Sequence, residues 1–295
     1  MKRQRHSLRG VVSLVVVLLV AAPLHGGEID ARAQATLKQV AENLQRARVF
    51  VVDISISTTE QHEGSNLTLK TSHELAVSKP DKIAFLTKTG AFGTTVLFQG
   101  CNEIYVELPA LTFGGVKFSG SDMGVTFISD GTKTYVSAPY MLGMPKSETS
   151  GVTDVRDGAD LKSFFFLYDI APYANHGACA SLIIQAVFFA DPAEGKVLAN
   201  ATELRYLGRE AVGGEECHKL KYCFPKDNEW YLFILANDTA ILREVRAEYS
   251  HKGDGMNLPV RQSTVFRNWK IGQPLPPDQF KLPPQDAKSS ETKGG

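Results

Sequence analysis

The chain has 295 residues, with 32 Lys+Arg against 32 Asp+Glu and a hydrophobic content of 43%. So much apolar material supports a sizeable core. The balanced charge excludes a global basic field of the kind that grips nucleic acid.

At the start of the chain, Lys2, Arg3, Arg5 and Arg9 precede a largely apolar stretch from Val11 to Ala22, then Pro23, the small pair Gly26-Gly27 and the acidic Glu28. A charged start, an apolar middle and a small-residue end form a Sec signal. Its apolar part has twelve residues, far short of the ~20 that span a bilayer. The competing reading is a retained anchor, since the cleavage site lacks a clean A-x-A. No cysteine precedes Cys101, which leaves no site for an N-terminal lipid, and Gln4 separates Arg3 from Arg5, so there is no twin-Arg address. Residues 1–27 are therefore expected to be removed, leaving 28 basic against 32 acidic residues. The mature chain is expected to be soluble and periplasmic, in a Gram-negative cell, with one domain over 28–286 and a disordered tail at 287–295.

From Ile29 to Phe50 the apolar positions Ala33, Leu37, Val40, Ala41, Leu44 and Ala47 follow the 3.6 period of a helix. The period then changes: Val52, Ile54 and Ile56 alternate with Asp53, Ser55 and Ser57, as in a half-buried strand. Similar runs follow at Leu67–Val77, Lys82–Lys88, Thr94–Gln99 and Glu103–Glu107, separated by turn signals that include Lys79-Pro80-Asp81 and Thr89-Gly90. Such spacing predicts an antiparallel meander. Residues 108–160 are rich in Gly, Ser and Thr, with one strand expected at Thr134–Ser137 after the Asp130-Gly131 turn. Residues 161–190, with SLIIQAVFFADP at their end, read as a helix that packs on the core. A second set of strands is expected at Ala201–Leu207, Glu216–Phe224, Trp230–Leu235, Leu242–Tyr249 and Val260–Trp269.

The four cysteines are Cys101, Cys179, Cys217 and Cys223. If Glu216–Phe224 is one strand, the last two share a face about 20 Å apart, whereas a disulfide needs Cα atoms within about 7 Å. They cannot then pair with each other, and a zinc site with His218 fails because the histidine faces the other way. Catalytic motifs are missing: there is no HExxH, GxSxG, P-loop or Rossmann glycine pattern. His62, His73, His176, His218 and His251 are scattered without ligand spacing, and His218 reads as a core histidine. Met141 and Met144 lack a neighbouring histidine that would suggest copper. No cofactor, metal or catalytic residue is assigned.

An ordered set of segments carries a resemblance: IDARAQATLKQVAENLQ, SKPDKIAF, YLGREAVGGEECHKL, DNEWYLFI with LREV, and FRNWKIGQPLPPDQFKLPPQDA. In this order the chain resembles the LolA/LolB-like superfamily of periplasmic lipoprotein carriers, and within it a family of predicted periplasmic proteins, best over residues 202–286. The loop-rich stretch between Phe113 and Asp160 has no counterpart there. The resemblance implies a mainly β, α+β fold: an incomplete antiparallel β-barrel of about ten or eleven strands, with an N-terminal helix and one or two further helices covering the concave face. It also implies a non-enzymatic protein that shelters an apolar ligand, lipid or lipoprotein acyl chains, and that has a possible envelope protein partner. On alternation the candidate lining is Val52, Ile54 and Ile56, then Ile83 and Phe85, then Leu220, Tyr222 and Phe224. The alternatives are an envelope scaffold with a filled core, or a hydrolase with a dispersed site.

Overall fold

A computed structural model describes residues 29–62, 65–97, 103–108, 111–113, 116–118, 126–138, 152–157, 202–224, 228–237, 239–253 and 256–284. The expected signal segment, the helix expected over 161–190, Cys101, Cys179, Met141, Met144 and the tail beyond 284 lie outside these residues.

The first element is α1 (Ala31–Arg46). Its stripe of Ala33, Leu37, Val40 and Leu44 is buried, as the 3.6-residue period requires of a helix lying on a core. Asp30 caps its N-terminus, accepting the backbone N–H of Arg32 at 2.7 Å and of Ala33 at 3.2 Å. The helix stops earlier than its periodicity suggests, because Val49 and Phe50 already belong to the first strand.

The strands are β1 (Val49–His62), β2 (Ser65–Ser78), β3 (Lys82–Leu97), β4 (Glu103–Leu108), β5 (Leu111–Phe113), β6 (Val116–Phe118), β7 (Thr126–Asp130), β8 (Lys133–Ala138), β9 (Val152–Asp157), β10 (Glu203–Val212), β11 (Glu215–Phe224), β12 (Asn228–Leu235), β13 (Leu242–Gly253) and β14 (Met256–Ile271). Twelve form one antiparallel sheet in the order β10-β11-β12-β13-β14-β1-β2-β3-β7-β8-β9, with β4 also paired to β3; β5 and β6 make a separate hairpin. The two meanders are joined by their first and last strands, β1 with β14, and among the described residues the end strands β10 and β9 do not meet. The sheet is thus not closed, as the resemblance implied, but it has more strands than the sequence suggested.

The difference lies mostly in the middle. The Thr89-Gly90 signal is not a turn: β3 runs through it unbroken. Residues Lys82–Leu86 pair with β7, while Phe92–Leu97 pair with β4. The glycine therefore sits where one strand leaves its first neighbour and takes a second. The short strands β7 and β9 escaped notice because they lie in a stretch dominated by Gly, Ser and Thr. The Asp130-Gly131 turn does form. Asp130 Oδ1 accepts the N–H groups of Thr132 and Lys133 at 2.7 and 2.8 Å, and Gly131 takes a φ of +91°. Gly213 and Gly214, at φ +59° and +84°, make the two-residue hairpin between β10 and β11.

Alternation gives the sheet two covered faces. On the inner face, Phe50, Val52 and Ile54 of β1, Leu75 and Val77 of β2, Ile83 and Phe85 of β3, Phe127 of β7, and Leu220, Tyr222, Trp230, Leu232, Val245 and Phe266 of the second meander form one cluster with the α1 stripe. On the outer face, Val51, Ala76, Ala84 and Ile128 are covered by Leu275, Phe280 and Leu282 from the segment after β14. This stretch is an ordered strap, with Gln279 Nε2 donating to Glu74 Oε1 at 3.1 Å.

Polar latches hold α1 across the inner face. At its start, the backbone N–H of Asp30 donates to Leu204 O at 2.8 Å, and Asp30 Oδ2 accepts from the N–H of Tyr206. At its end, Lys79 Nζ donates to the helical carbonyl of Leu44 at 2.8 Å, and Asn43 Nδ2 donates to Thr239 O at 2.6 Å. Burial lowers the pKa of Lys79, because partial loss of water disfavours the charged ammonium.

Candidate functional site: the inner face of the open sheet

The inner face brings together the side chains that the sequence singled out on three separate strands. Val52, Ile54, Ile83 and Leu220 are fully buried, and Phe85 and Tyr222 are 2% and 1% exposed. All six belong to the cluster beneath α1, and Ile56 packs against its edge. Phe224 ends β11 on the same alternation as Leu220 and Tyr222; its side chain lies outside the description. Tyr222 stacks on Trp230 with ring centroids 5.7 Å apart, and burial raises its phenol pKa. The second tryptophan, Trp269, sits 6.1 Å from Phe50 and 6.3 Å from Phe266.

This face is not uniformly apolar. Farther along the same strands it carries Thr58, Gln262 and Thr264, all buried. Thr58 pairs with Gln262, and Ile56 with Thr264. Gln262 Nε2 donates to Thr58 Oγ1 at 3.1 Å. One strand over, His73 stacks on Phe85 with centroids 4.8 Å apart, its ring nitrogens 3.0 and 2.8 Å from the hydroxyls of Thr87 and Thr71. Sequence reasoning passed over these residues. The available signal was their place in the alternation, His73 two residues before Leu75 and Thr264 two before Phe266.

Burial pushes the His73 imidazole down to about 3 from an ordinary 6.5. The unfolded chain therefore binds a proton that the folded chain refuses between these values. Stability consequently falls as the pH drops below 6.5, by at most about 1.4 kcal/mol per unit from this group. His73→Gln keeps hydrogen-bonding capacity without titrating, and it is expected to flatten that acid limb in urea melts taken from pH 7 to about 4. An acid limb of unchanged slope would show that His73 is not its source.

The outer face of β11 carries Cys217 and Cys223, both free. The strand is continuous through them, which keeps them apart. Burial raises both thiols to about 11, so neither is a ready nucleophile. His218, on the inner side, receives or donates a hydrogen bond with the Tyr206 hydroxyl at 2.9 Å, with Arg32 stacked 3.8 Å above the tyrosine ring. Among the described residues, no group of three or more His, Cys, Asp and Glu side chains is placed to hold a metal ion, and no helix is long and apolar enough to cross a membrane.

Among the described residues the architecture is an open antiparallel sheet whose apolar inner face is crossed by the latched helix α1. Its second meander and C-terminal strap fall within residues 181–291, which match the family model described as "Predicted periplasmic protein (DUF2092)". Comparison with curated proteins gives no match. Among solved structures, the chain is similar to the lipoprotein LppX of Mycobacterium tuberculosis at 14% identity and a TM-score of 0.37, covering 84% of this chain and 99% of that one. It is similar to LprF of Mycobacterium bovis at 13% identity and a TM-score of 0.35, covering 85% and 97%. A LolA-superfamily protein of Nitrosomonas europaea is similar at 10% identity and a TM-score of 0.30, again over 85% and 97%.

Proposed function

We propose that the protein is exported to the periplasm, where it binds an apolar ligand, a lipid or a lipoprotein acyl chain, against the inner face of its sheet without acting as an enzyme. One observation carries this reading: side chains from β1, β3 and β11 share an apolar surface that, among the described residues, is covered by the amphipathic helix α1. That helix is tied down by polar contacts near its ends. An acyl chain offers the sheet the same burial, about 25 cal/mol per Å², as the aliphatic stripe of α1. Exchange of one for the other therefore costs little hydrophobic energy once the latches yield. Removal of residues 1–27 would leave 28–286 as the working domain.

A second reading is favoured by the near-zero exposure of the six lining side chains, which is also what a filled core looks like; the protein would then be an envelope scaffold acting through its loops. Tryptophan emission separates the two, because both Trp230 and Trp269 pack on the inner cluster. A brominated fatty acid that enters beneath α1 is expected to quench this emission saturably, and a brominated headgroup analogue is not. Absence of saturable quenching in folded protein would reject ligand binding and leave the scaffold.

A further inference from the structure

Thr264 differs from Thr58 and Gln262, the polar side chains near it on the inner face. It is fully buried, yet its Oγ1 has no hydrogen-bond partner. Its neighbours across the ladders are Ile56 on β1 and Val245 on β13, and Phe266 and Gln262 flank it on the same face of β14. The nearby Gln262 and Thr58 are joined by a hydrogen bond of their own. A buried hydroxyl left unpaired costs about 1–3 kcal/mol, and a valine of the same shape would avoid this. Such orphaned groups are rare in folded proteins and call for a partner.

From this we infer that the inner face has a polar subsite at Thr264 that takes the neutral carbonyl of an acyl ester, the hydroxyl donating to the carbonyl oxygen. The inference deepens the lipid-binding reading and rests on it. Chemistry narrows the class of ligand. None of the four neighbours of Thr264 on this face is charged, so a carboxylate or phosphate placed here would lose its hydration without a cation to replace it. An ester carbonyl is acceptor-only, carries no net charge and sits on an apolar chain. Ile56, Val245 and Phe266 would hold that chain while Thr264 satisfies the oxygen. A β-branched side chain with few χ1 options restricts where its hydroxyl oxygen sits, and the O–H can turn toward a single acceptor.

The test compares two probes of the same chain length, methyl dibromostearate and dibromooctadecane, delivered from one cyclodextrin carrier and read by tryptophan quenching. Thr264→Val is expected to weaken the ester about tenfold relative to the alkane, with the melting temperature no lower than that of the original protein. Thr264→Ser, which restores the hydroxyl, is expected to restore the ester preference. If Thr264→Val weakens both probes alike, or leaves the ester preference intact, the subsite is overturned while lipid binding stands. If neither probe quenches saturably in the folded original protein, the binding reading and the subsite fall together.

Discussion

Phe85→Asp is expected to leave no folded protein at neutral pH. Phe85 is 2% exposed, stacks on His73, and lies in the cluster with Val52, Ile54, Ile83 and the α1 stripe. Removing such a ring costs about 3–5 kcal/mol by itself. An unpaired carboxylate in its place adds several kcal/mol more. Together these are comparable to the roughly 5–15 kcal/mol that holds a typical domain together. Far-UV circular dichroism and a urea melt would read the loss, with Phe85→Leu, which keeps the site apolar, as a control expected to cost less than the ~3–5 kcal/mol of full truncation. The result bears on function as well. A Phe85→Asp protein that melts like the original would mean that water reaches this side chain, so that Phe85 borders a cavity rather than filling the core. Reduced quenching by a brominated fatty acid in that folded variant would then place the ligand beside it.

The second large effect is expected on the opposite face. Phe280→Ala combined with Leu282→Ala should cost about 3 kcal/mol and create a surface that binds hydrophobic dyes. Both side chains are partly buried over Val51, Ala76, Ala84 and Ile128. Half-buried groups give back less than fully buried ones. The uncovered patch would lie on the flank of β1, β2, β3 and β7, away from α1. Lipid-dependent quenching in the still-folded fraction should therefore survive this change. An unchanged urea midpoint would show that the strap lies on the sheet without stabilising it.

Local patterning made much of the fold legible. Period-two alternation in Val52–Ile56 and Leu220–Phe224 is dictated by the pleat, which sends successive side chains to opposite faces whatever the neighbouring strand is. The α1 stripe follows from the helical period in the same way. The Asp130-Gly131 turn was marked correctly, because positive φ is a local demand. Thr89-Gly90 misled, since a glycine that eases a change of pairing partner looks the same in sequence as one that reverses the chain. The strand-rich stretch between Glu103 and Asp157 was only partly legible, its short strands being specified by pairing with β3 and with one another more than by their own composition.

The candidate site divides in the same manner. By itself the sequence determined which residues share a face: Val52 with Ile54 and Ile56, Ile83 with Phe85, Leu220 with Tyr222 and Phe224. It could not say which face each set would meet. Val51, Ala84 and Leu86 offer apolar groups on the reverse of the same strands, and alternation treats the two sides alike. That choice was made by contacts between distant segments. Residues 49–62 pair with residues 256–271, α1 is latched to Leu204, Tyr206 and Thr239, and the strap after Gly272 claims the outer surface. Covering each apolar face removes it from water, and only the assembled sheet determines which cover reaches which face. The same assembly buried Thr264 away from any partner, a property no single strand could carry, because it depends on what stands beside and above the hydroxyl once the strands are joined.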